Sequence, residues 1–308
     1  MTQARGFTGW PGGPIHLAIG VFDGVHAGHR EVIARLAAGA RADHARAVAA
    51  TFEPLPGRFL DPVRAPQEIT DTAERVRLLR EAGADTVVLF HFDKALATLE
   101  PVEFVARLRA AGDLRRVVVG SDFQFGRDRS GALDTLRALG REHGFAVEEV
   151  EPVVQGGAVV SSTRIRGLLA AGDLSGAAAL LGRRYGVRGT IVGGDFRGTG
   201  MGYPTANLKV APERLLPRDG IYAAWVDVGG ARHAAAASLG VRPTFGDSLE
   251  RRLEAYLLDF TGDLYGQDAV LTFVERLRDE ERFNTIDTLT AQIGRDVVAV
   301  RHALARTS

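Results

Sequence analysis

The sequence predicts an α/β domain with a parallel sheet over residues 1–183, followed over residues 184–308 by an antiparallel β-barrel with a terminal helix. Three observations predict this fold class. Short apolar, β-branched runs alternate with helical patterns in the first part, which is typical of a parallel sheet with crossover helices. In the second part, strand-like runs follow one another with glycines and turn residues between them. The chain then ends with apolar residues at a helical period.

In the first part, the strand candidates are the apolar runs at residues 15–22, 47–52, 86–90, 117–120 and 145–150. Helical patterns lie between these runs, as at residues 73–81 and 101–108, and Pro101 suits a first helical turn. Residues 53–68 are too interrupted by proline for either element. We therefore expect an ordered loop there, over the edge of the sheet.

In the second part, the strand candidates are residues 185–194, 220–230, 232–241, 252–260 and 268–277. No helical pattern of normal length lies between them, which is typical of an antiparallel barrel or sandwich. The helical period returns after residue 284, with Asn284 or Thr285 available as N-cap. The apolar positions of this terminal helix are Ile286, Leu289, Ile293, Val297, Val300 and Leu304.

The composition excludes several classes of function. Thirty-eight basic residues balance thirty-eight acidic residues among 308, so no general attraction to nucleic acid is expected. The absence of cysteine excludes disulfides and thiolate ligands. No signal-like segment and no apolar run of about 20 residues is present, so we expect no membrane partner and a cytoplasmic protein.

The ten residues 20–29, GVFDGVHAGH, place glycines, an aspartate and two histidines at the end of the first strand candidate. Gly24 and Gly28 let the backbone approach a ligand closely, and a strand that runs into a helix offers N–H groups to an anion. The imidazoles of His26 and His29 can hold a triphosphate and stabilise charge that develops on its α-phosphate. Phosphate binding is therefore the interpretation that we favour.

Two other interpretations of the histidine pair remain. Paired histidines bind zinc, but a zinc site needs a third and a fourth ligand, and only Asp23 is close in sequence. The histidines can also be inert surface residues, although the surrounding glycines argue against that.

His26, Gly28 and His29 form the HxGH signature of the nucleotidyltransferases, and GVFDGVHAGH as a whole resembles the N-terminal motif of the bacterial bifunctional riboflavin kinase/FMN adenylyltransferase (FAD synthetase) family. Other motifs that resemble this family follow in its order. They are TFEP (51–54), VGSDFQFG (119–126), SSTRIR (161–166), GYPTANL (202–208), GVRPTFG (240–246), LEAYLLDFTGDLYG (253–266) and RLRDEERF (276–283). The resemblance implies a Rossmann-like nucleotidyltransferase domain over residues 1–183 and a riboflavin kinase domain over residues 184–308.

The SSTRIR motif begins a helical stretch for which Ser161 or Ser162 suits the N-cap. Capping does not explain Thr163, Arg164 and Arg166 in a first turn, where the helix dipole disfavours cations. The resemblance implies that this motif closes over the ATP phosphates opposite HxGH. We expect direct attack of the FMN phosphate on the ATP α-phosphorus, with Mg²⁺ and without an adenylyl-enzyme. The predicted ATP-binding residues here are Gly20, Phe22, Asp23, Gly24, Gly28, Ser162, Thr163 and Arg166, with His26 and His29 as catalytic residues.

The predicted flavin-binding residues lie where similar proteins shape the flavin pocket: Phe52, Pro54, Asp122, Phe123 and Phe125. The phenylalanines can equally be core residues. The family more often has histidine at position 55, whereas Leu55 of this chain cannot donate a hydrogen bond.

A second site is predicted around Thr205 and Asn207, which follow the glycine-rich residues 193–202. No GxxxxGK[ST] motif occurs, so a P-loop kinase is excluded. Thr205 and Asn207 share one face of a strand, and their oxygens suit Mg²⁺ or ATP phosphates. The glycines alone can also be simple turns. PTAN resembles the central motif of the riboflavin kinases, which implies that Thr205 and Asn207 bind Mg²⁺ and ATP. The resemblance also implies that Gly198 binds ATP. This chain departs from the family at Thr199, where a basic residue is usual.

Glu254 lies between Leu253 and Ala255 in an otherwise apolar strand candidate, which is unusual for a carboxylate that is only solvated. The resemblance implies that Glu254 is the general base that takes the proton from the riboflavin 5′-hydroxyl. The RLRDEERF segment, residues 276–283, is either a mobile flap over the flavin or a solvated run of charge.

The resemblance therefore implies a two-step enzyme that converts riboflavin and ATP to FMN, and then FMN and a second ATP to FAD. Its predicted partners are riboflavin, FMN and ATP, and its predicted metal is Mg²⁺. One alternative is a kinase whose first domain has lost adenylyl transfer, against which the intact His26, His29 and Arg166 argue. Another is a flavin carrier without chemistry, against which Glu254 argues because storage needs no base.

Overall fold

The computed structural model of the chain describes residues 3–193, 205–243 and 249–306. The chain divides into two compact units, Met1–Ser162 and Thr163–Ser308. The predicted fold class is confirmed in both, with a parallel sheet and helices in the first unit and a closed antiparallel barrel with a terminal helix in the second. The functional boundary that we predict after residue 183 stays a prediction.

The first unit is built around a parallel sheet. Its strands are β1 (Gln3–Arg5), β2 (Pro14–Ile19), β3 (Arg46–Glu53), β4 (Thr86–His91), β5 (Asp113–Gly120) and β6 (Ala146–Val150). They are ordered β1-β4-β3-β2-β5-β6. Consecutive residues of the central strands are fully buried, as Leu17 and Ala18 of β2 are. Burial on both faces explains why these strands have continuous apolar sequences instead of alternating ones.

Helices connect these strands. They are α1 (Ala27–Ala42), α2 (Pro56–Leu60), α3 (Thr72–Glu81), α4 (Lys94–Ala97), α5 (Pro101–Ala111) and α6 (Leu133–His143), and the hairpin of β7 (Val154–Gln155) and β8 (Ala158–Val159) follows. Asp71 caps α3, since its carboxylate accepts the N–H of Glu74 at 2.7 Å. The expectation of a loop without helix over residues 53–68 is wrong at α2, where Pro56 occupies the first turn that proline favours.

The second unit is a barrel preceded by two helices. Its elements are α7 (Ser162–Ala171), which begins at the last residue of the first unit, α8 (Leu174–Leu181), β9 (Gly186–Val192), β10 (Thr205–Val210), β11 (Gly220–Val228), β12 (Ala231–Pro243), β13 (Leu249–Leu257), β14 (Asp268–Arg278) and α9 (Ile286–Ala305). The six described strands close in the order β10-β13-β12-β11-β14-β9. Every pair in the barrel is antiparallel.

The two faces of the barrel wall differ. On β13, Leu253, Ala255 and Leu257 are buried, so the residues between them point to the other, outer face. The terminal helix α9 packs on that outer face, against β11, β12 and β14. Thr285 is its N-cap, as one of the two predicted alternatives. Ile286, predicted as an apolar contact, is 68% exposed, because the packed residues lie in the C-terminal half of α9.

None of the helices in the described ranges combines the length and the hydropathy that a membrane crossing requires.

Candidate active sites

The first candidate site is the turn that joins β2 to α1. The predicted strand over residues 15–22 ends at Ile19, because Phe22 and Val25 have φ angles of 50° and 40°, which a strand cannot contain. Both side chains are buried, so the surrounding core holds this strained backbone in place. Gly24 has a φ of 87°, and a Cβ there would lie 3.1 Å from Ile69. The turn therefore needs glycine at position 24 for two reasons.

Asp23 braces this turn from inside. Its Oδ1 accepts the backbone N–H groups of Ile69 at 2.9 Å and Thr70 at 3.0 Å. The N–H of Gly24 in turn donates to the Thr70 hydroxyl at 3.0 Å. Asp23 is 1% exposed. Its carboxylate thus holds the segment that precedes α3, and the ATP-binding role that we predict for Asp23 stays a prediction.

His26 and His29 lie together at the start of α1. Their rings are stacked, with centroids 3.6 Å apart and planes 18° apart. His26 is the N-cap, and its Nδ1 accepts a long 3.4 Å hydrogen bond from the His29 N–H. A Cβ at Gly28 would lie 3.3 Å from the His26 ring, so glycine lets the ring lie close over the first turn. The structure therefore brings the predicted catalytic histidines to a helix N-terminus, where the dipole favours an anion.

The surroundings of the His29 side chain favour its neutral form. Burial lowers the pKa of His29 well below its ordinary value, and the neighbouring His26 adds to the shift. Its Nδ1 is buried without a hydrogen-bond partner among the described residues. A neutral imidazole can donate one N–H to a phosphate oxygen, and a bound anion would offset the burial that lowers the pKa.

The SSTRIR motif meets the same turn through its second serine. The Ser162 hydroxyl donates to the backbone carbonyl of Asp23 at 2.8 Å. Thr163 and Arg166 follow in the first turn of α7, which carries no acidic residue. Thr163 is exposed and Arg166 is half-buried. The sequence predicted Ser162 as an N-cap or an ATP ligand. Its contact with Asp23 was missed because the two residues are far apart in the chain.

The predicted flavin-binding residues fall into two groups. Phe125 is 7% exposed and stacks on Phe123 at 5.5 Å, so Phe125 belongs to the core. Phe52 and Phe123 are only half-buried, and Asp122 is exposed. Phe52 is the last residue but one of β3, and the Glu53–Pro54 peptide bond that follows it is cis. Half-buried aromatic rings beside loops of this kind can contact a ligand, whereas Phe125 packs in the core against the Phe123 ring.

The second candidate site lies on the outer face of the barrel. In the register between β10 and β13, Asn207 pairs with Glu254 and Thr205 pairs with Tyr256. Directly opposite residues of antiparallel strands point to the same face. The hydroxyl, the amide and the carboxylate of the prediction are therefore neighbours. Gly198 and Thr199, by contrast, lie outside the described residues.

Oxygen donors dominate this second site, and this chemistry fits Mg²⁺, which prefers hydroxyl, amide and carboxylate oxygens. Thr205 and Asn207 supply two such oxygens on one strand. Among the described residues, no group of three or more His, Cys, Asp or Glu side chains is arranged to hold a metal ion.

Sequence reasoning missed Ser238 as a neighbour of Glu254. Ser238 on β12 pairs with Glu254 from the side opposite to Asn207. Its hydroxyl donates to a carboxylate oxygen of Glu280 at 2.9 Å, which attaches the RLRDEERF segment to the barrel wall. Arg278 of the same segment pairs with the buried Asp296 of α9 at 2.7 Å. Neither contact leaves a signal in the local sequence, because each joins residues on different strands or helices.

Comparisons with known proteins cover both units. Residues 13–164 match the family model of FAD synthetase, and residues 181–304 match that of riboflavin kinase. The chain is 38% identical to the bifunctional riboflavin kinase/FMN adenylyltransferase of Pseudomonas fluorescens, over 94% of this chain and 93% of that protein. It is 35% identical to the protein of the same name from Escherichia coli strain K12, with the same coverage.

A solved structure from Streptococcus pneumoniae, described as a macrolide-efflux protein, has the same fold. The TM-score is 0.88 at 32% sequence identity, and the match covers 98% of this chain and 99% of that one.

Proposed function

The chain belongs to the bifunctional riboflavin kinase/FMN adenylyltransferase family, and on that premise we propose which of its residues perform each reaction. The enzyme phosphorylates riboflavin with ATP to give FMN, and it adenylylates FMN with a second ATP to give FAD and pyrophosphate. Riboflavin, FMN and ATP are its substrates. Adenylyl transfer is assigned to residues 1–183 and phosphorylation to residues 184–308.

For adenylyl transfer, the histidine pair at the start of α1 binds the ATP phosphates. A phosphate oxygen of FMN attacks the α-phosphorus of ATP, the bond to the β-phosphate bridging oxygen breaks, and pyrophosphate leaves with the electron pair. His26 and His29 donate N–H groups to the oxygens on which negative charge increases. Burial lowers the pKa of His29, and in its neutral form the imidazole is a hydrogen-bond donor and not a fixed charge. The protein therefore acts by positioning and electrostatics, without a covalent intermediate.

Further residues are proposed to contact the nucleotide or the flavin, each on fewer observations than the histidine pair. Gly20, Gly24 and Gly28 bring backbone close to the nucleotide, as Gly28 does for the His26 ring. Thr163 and Arg166 are proposed as phosphate ligands from the resemblance of the SSTRIR motif and from the absence of acidic residues in the first turn of α7. Phe52, Pro54, Phe123 and Asp122 are proposed to contact the flavin, with Phe125 stacked on the Phe123 ring.

For riboflavin phosphorylation, Glu254 is the general base. Its carboxylate takes the proton from the riboflavin 5′-hydroxyl, and the hydroxyl oxygen forms a bond to the ATP γ-phosphorus while ADP leaves. Asn207, opposite Glu254, and Thr205 on the same strand hold the nucleotide and its metal. We propose Mg²⁺ as that metal, which neutralises charge on the phosphates when bound.

The pairing of Asn207 with Glu254 is the single observation that supports the kinase assignment, since the proposed metal ligand and the proposed base share one face of the barrel. The test of the two-step function is to incubate the purified protein with riboflavin, ATP and Mg²⁺ and to resolve the flavins by chromatography. FAD is the expected product. FMN alone would support a kinase with an inactive first domain, and unchanged riboflavin would support a flavin carrier.

A cytoplasmic location is proposed with this function. Both reactions consume ATP, which cells make and keep in their interior. Fractionation of cells that express the protein, followed by the chromatographic assay, is expected to find FAD formation in the cytosolic fraction.

A further inference from the structure

Arg75 is a charged residue that lies inside the first unit. It is 0% exposed, and it occupies the face of α3 that also carries the buried Val76 and Leu79. A buried guanidinium is costly unless charge partners and hydrogen bonds compensate it. Packing alone therefore does not explain a charged residue at position 75.

Arg75 is bonded mainly to the backbone at the end of β3. Its Nη2 donates to the carbonyl of Phe52 at 2.9 Å and approaches the Thr72 hydroxyl at 3.3 Å. A carboxylate oxygen of Glu68 lies 4.0 Å from Nη1. Nε and Nη1 have no hydrogen-bond partner among the described residues. The carboxylates of Asp23 and Glu68 supply opposite charge to the guanidinium, and its direct hydrogen bond to main chain is to Phe52.

The residues just before α3 also bind the turn that joins β2 to α1, which carries His26 and His29 and is called the histidine turn below. Ile69 and Thr70, which directly precede the N-cap Asp71, donate their N–H groups to Asp23. Asp23 lies in the turn between β2 and α1, whereas Phe52 lies at the end of β3. The start of α3 is therefore tied to both loops, to one by Asp23 and to the other by Arg75.

We propose that Arg75 is a positioning residue for adenylyl transfer, which sets the Phe52–Pro54 turn at a fixed place relative to the histidine turn. This inference rests on the proposed function, in which that turn contacts the flavin. Arg75 acts on the reaction through Phe52 and does not itself touch substrate, since it is fully buried. A flavin pocket whose wall moves by about 1 Å loses productive alignment, which costs up to about 100-fold in rate.

The test compares full-length variants at two positions of α3. Arg75→Met keeps most of the volume and removes the donors, and because the partners of the guanidinium stay behind, we expect it to lower stability without preventing folding. Arg75→Lys restores a charged donor. Arg77→Met is the matched control, because Arg77 is exposed and pairs with Glu81 one turn later. Each variant is titrated with FMN at saturating ATP and with ATP at saturating FMN, and its riboflavin kinase activity serves as an internal control of folding.

We expect Arg75→Met to raise the KM for FMN by about tenfold or more, with a smaller change in the KM for ATP and unchanged kinase activity. Arg75→Lys should recover most of the FMN affinity. An FMN titration equal to that of Arg77→Met would overturn the proposal. Equal defects in the Met and Lys variants, a failure to fold, or parallel loss of both activities would also overturn it, since each makes Arg75 a packing residue. If the unaltered protein converts no FMN to FAD, the proposed function fails instead.

Discussion

Asn207 on β10 lies directly opposite Glu254 on β13, so an amide and a carboxylate share one face of the barrel. Side chains in such a pair have Cβ atoms about 4.5–5.5 Å apart. Ser238 on β12 extends this row on the other side of Glu254. The row contains a proton acceptor flanked by two hydrogen-bonding side chains, and it makes the kinase assignment testable by single substitutions.

Replacing Glu254 with glutamine removes the proton acceptor and keeps the shape of the side chain. Because a general base contributes about 10²–10⁴-fold to a rate, FMN formation should fall by that factor. Conversion of supplied FMN to FAD should stay unchanged, because it uses the other site. The measurement is the initial rate of each step by chromatography. A Glu254→Gln variant that phosphorylates riboflavin normally would contradict the assignment of the base.

Replacing Asn207 with alanine removes one proposed oxygen ligand of the metal. We expect the Mg²⁺ concentration for half-maximal kinase activity to rise by about tenfold, which corresponds to the loss of one interaction worth about 1.4 kcal/mol. The Mg²⁺ dependence of adenylyl transfer serves as the control within the same protein. An unchanged Mg²⁺ titration of the kinase would argue that Asn207 binds no metal.

Replacing His29 with alanine removes a hydrogen-bond donor from the histidine turn between β2 and α1. Loss of one donor that stabilises developing charge typically costs about 10²–10³-fold in rate, so the two-step reaction should stop at FMN. His143→Ala is the control, since His143 lies at the end of α6, in a different helix from His29, and its ring is 3.9 Å from the Glu142 carboxylate. Blocked FMN formation together with intact FAD formation would reverse the assignment of the two domains.

His29 also contributes a pH dependence to stability. Its pKa is lowered in the folded protein, so the unfolded chain binds this proton more readily. The contribution of His29 is fully present above its unfolded pKa of about 6.5, and it decreases as the pH falls below that value. We expect Tm to drop more steeply from about pH 7.5 to about pH 5.5 in the unaltered protein than in His29→Asn.

His16, whose pKa burial also lowers, is present in both of these proteins and cancels in the comparison. Parallel curves of Tm against pH for the unaltered protein and His29→Asn would show that His29 is not held neutral by the fold.

The ion pair between Arg278 and Asp296 should stabilise the second unit. Asp296 is 7% exposed and accepts two hydrogen bonds from Arg278, at 2.9 and 2.7 Å. Asp296→Ala leaves this guanidinium without its partner, and we expect a loss of about 3 kcal/mol in the free energy of unfolding. Glu275→Ala breaks the exposed pair with Arg306 and should cost at most about 1 kcal/mol. Urea unfolding measures both, and equal losses would contradict the difference in burial.

The order and type of the elements were predictable, because they depend on interactions between residues a few positions apart. The strand predicted at residues 47–52 is β3, and the helix predicted at residues 73–81 is α3. The period of the apolar residues and the caps sufficed for these. The helix α2 was missed because its five residues are too few to show a period.

The candidate sites were predictable only as separate motifs. GVFDGVHAGH predicted a phosphate-binding turn, and the structure brings both histidines to the start of α1. Arg75 was missed, although a charge among the apolar positions of α3 is a signal that a search for buried polar residues can use. Of the predicted flavin-binding phenylalanines, Phe125 is buried and Phe52 and Phe123 are half-buried. The sequence cannot tell which aromatic ring of a cluster faces the core.

The sequence by itself determined the two-part organisation, most strands and helices of each part apart from short ones such as β1 and α2, and the motifs of both reactions, because periodicity, caps and turn residues act over short distances. Only the tertiary structure decided that Asn207 faces Glu254, that Asp23 holds Ile69 and Thr70, and that Arg75 reaches Phe52. These pairs join distant parts of the chain. Strand register and core packing select them, and both depend on the burial of many residues at once and not on any local pattern.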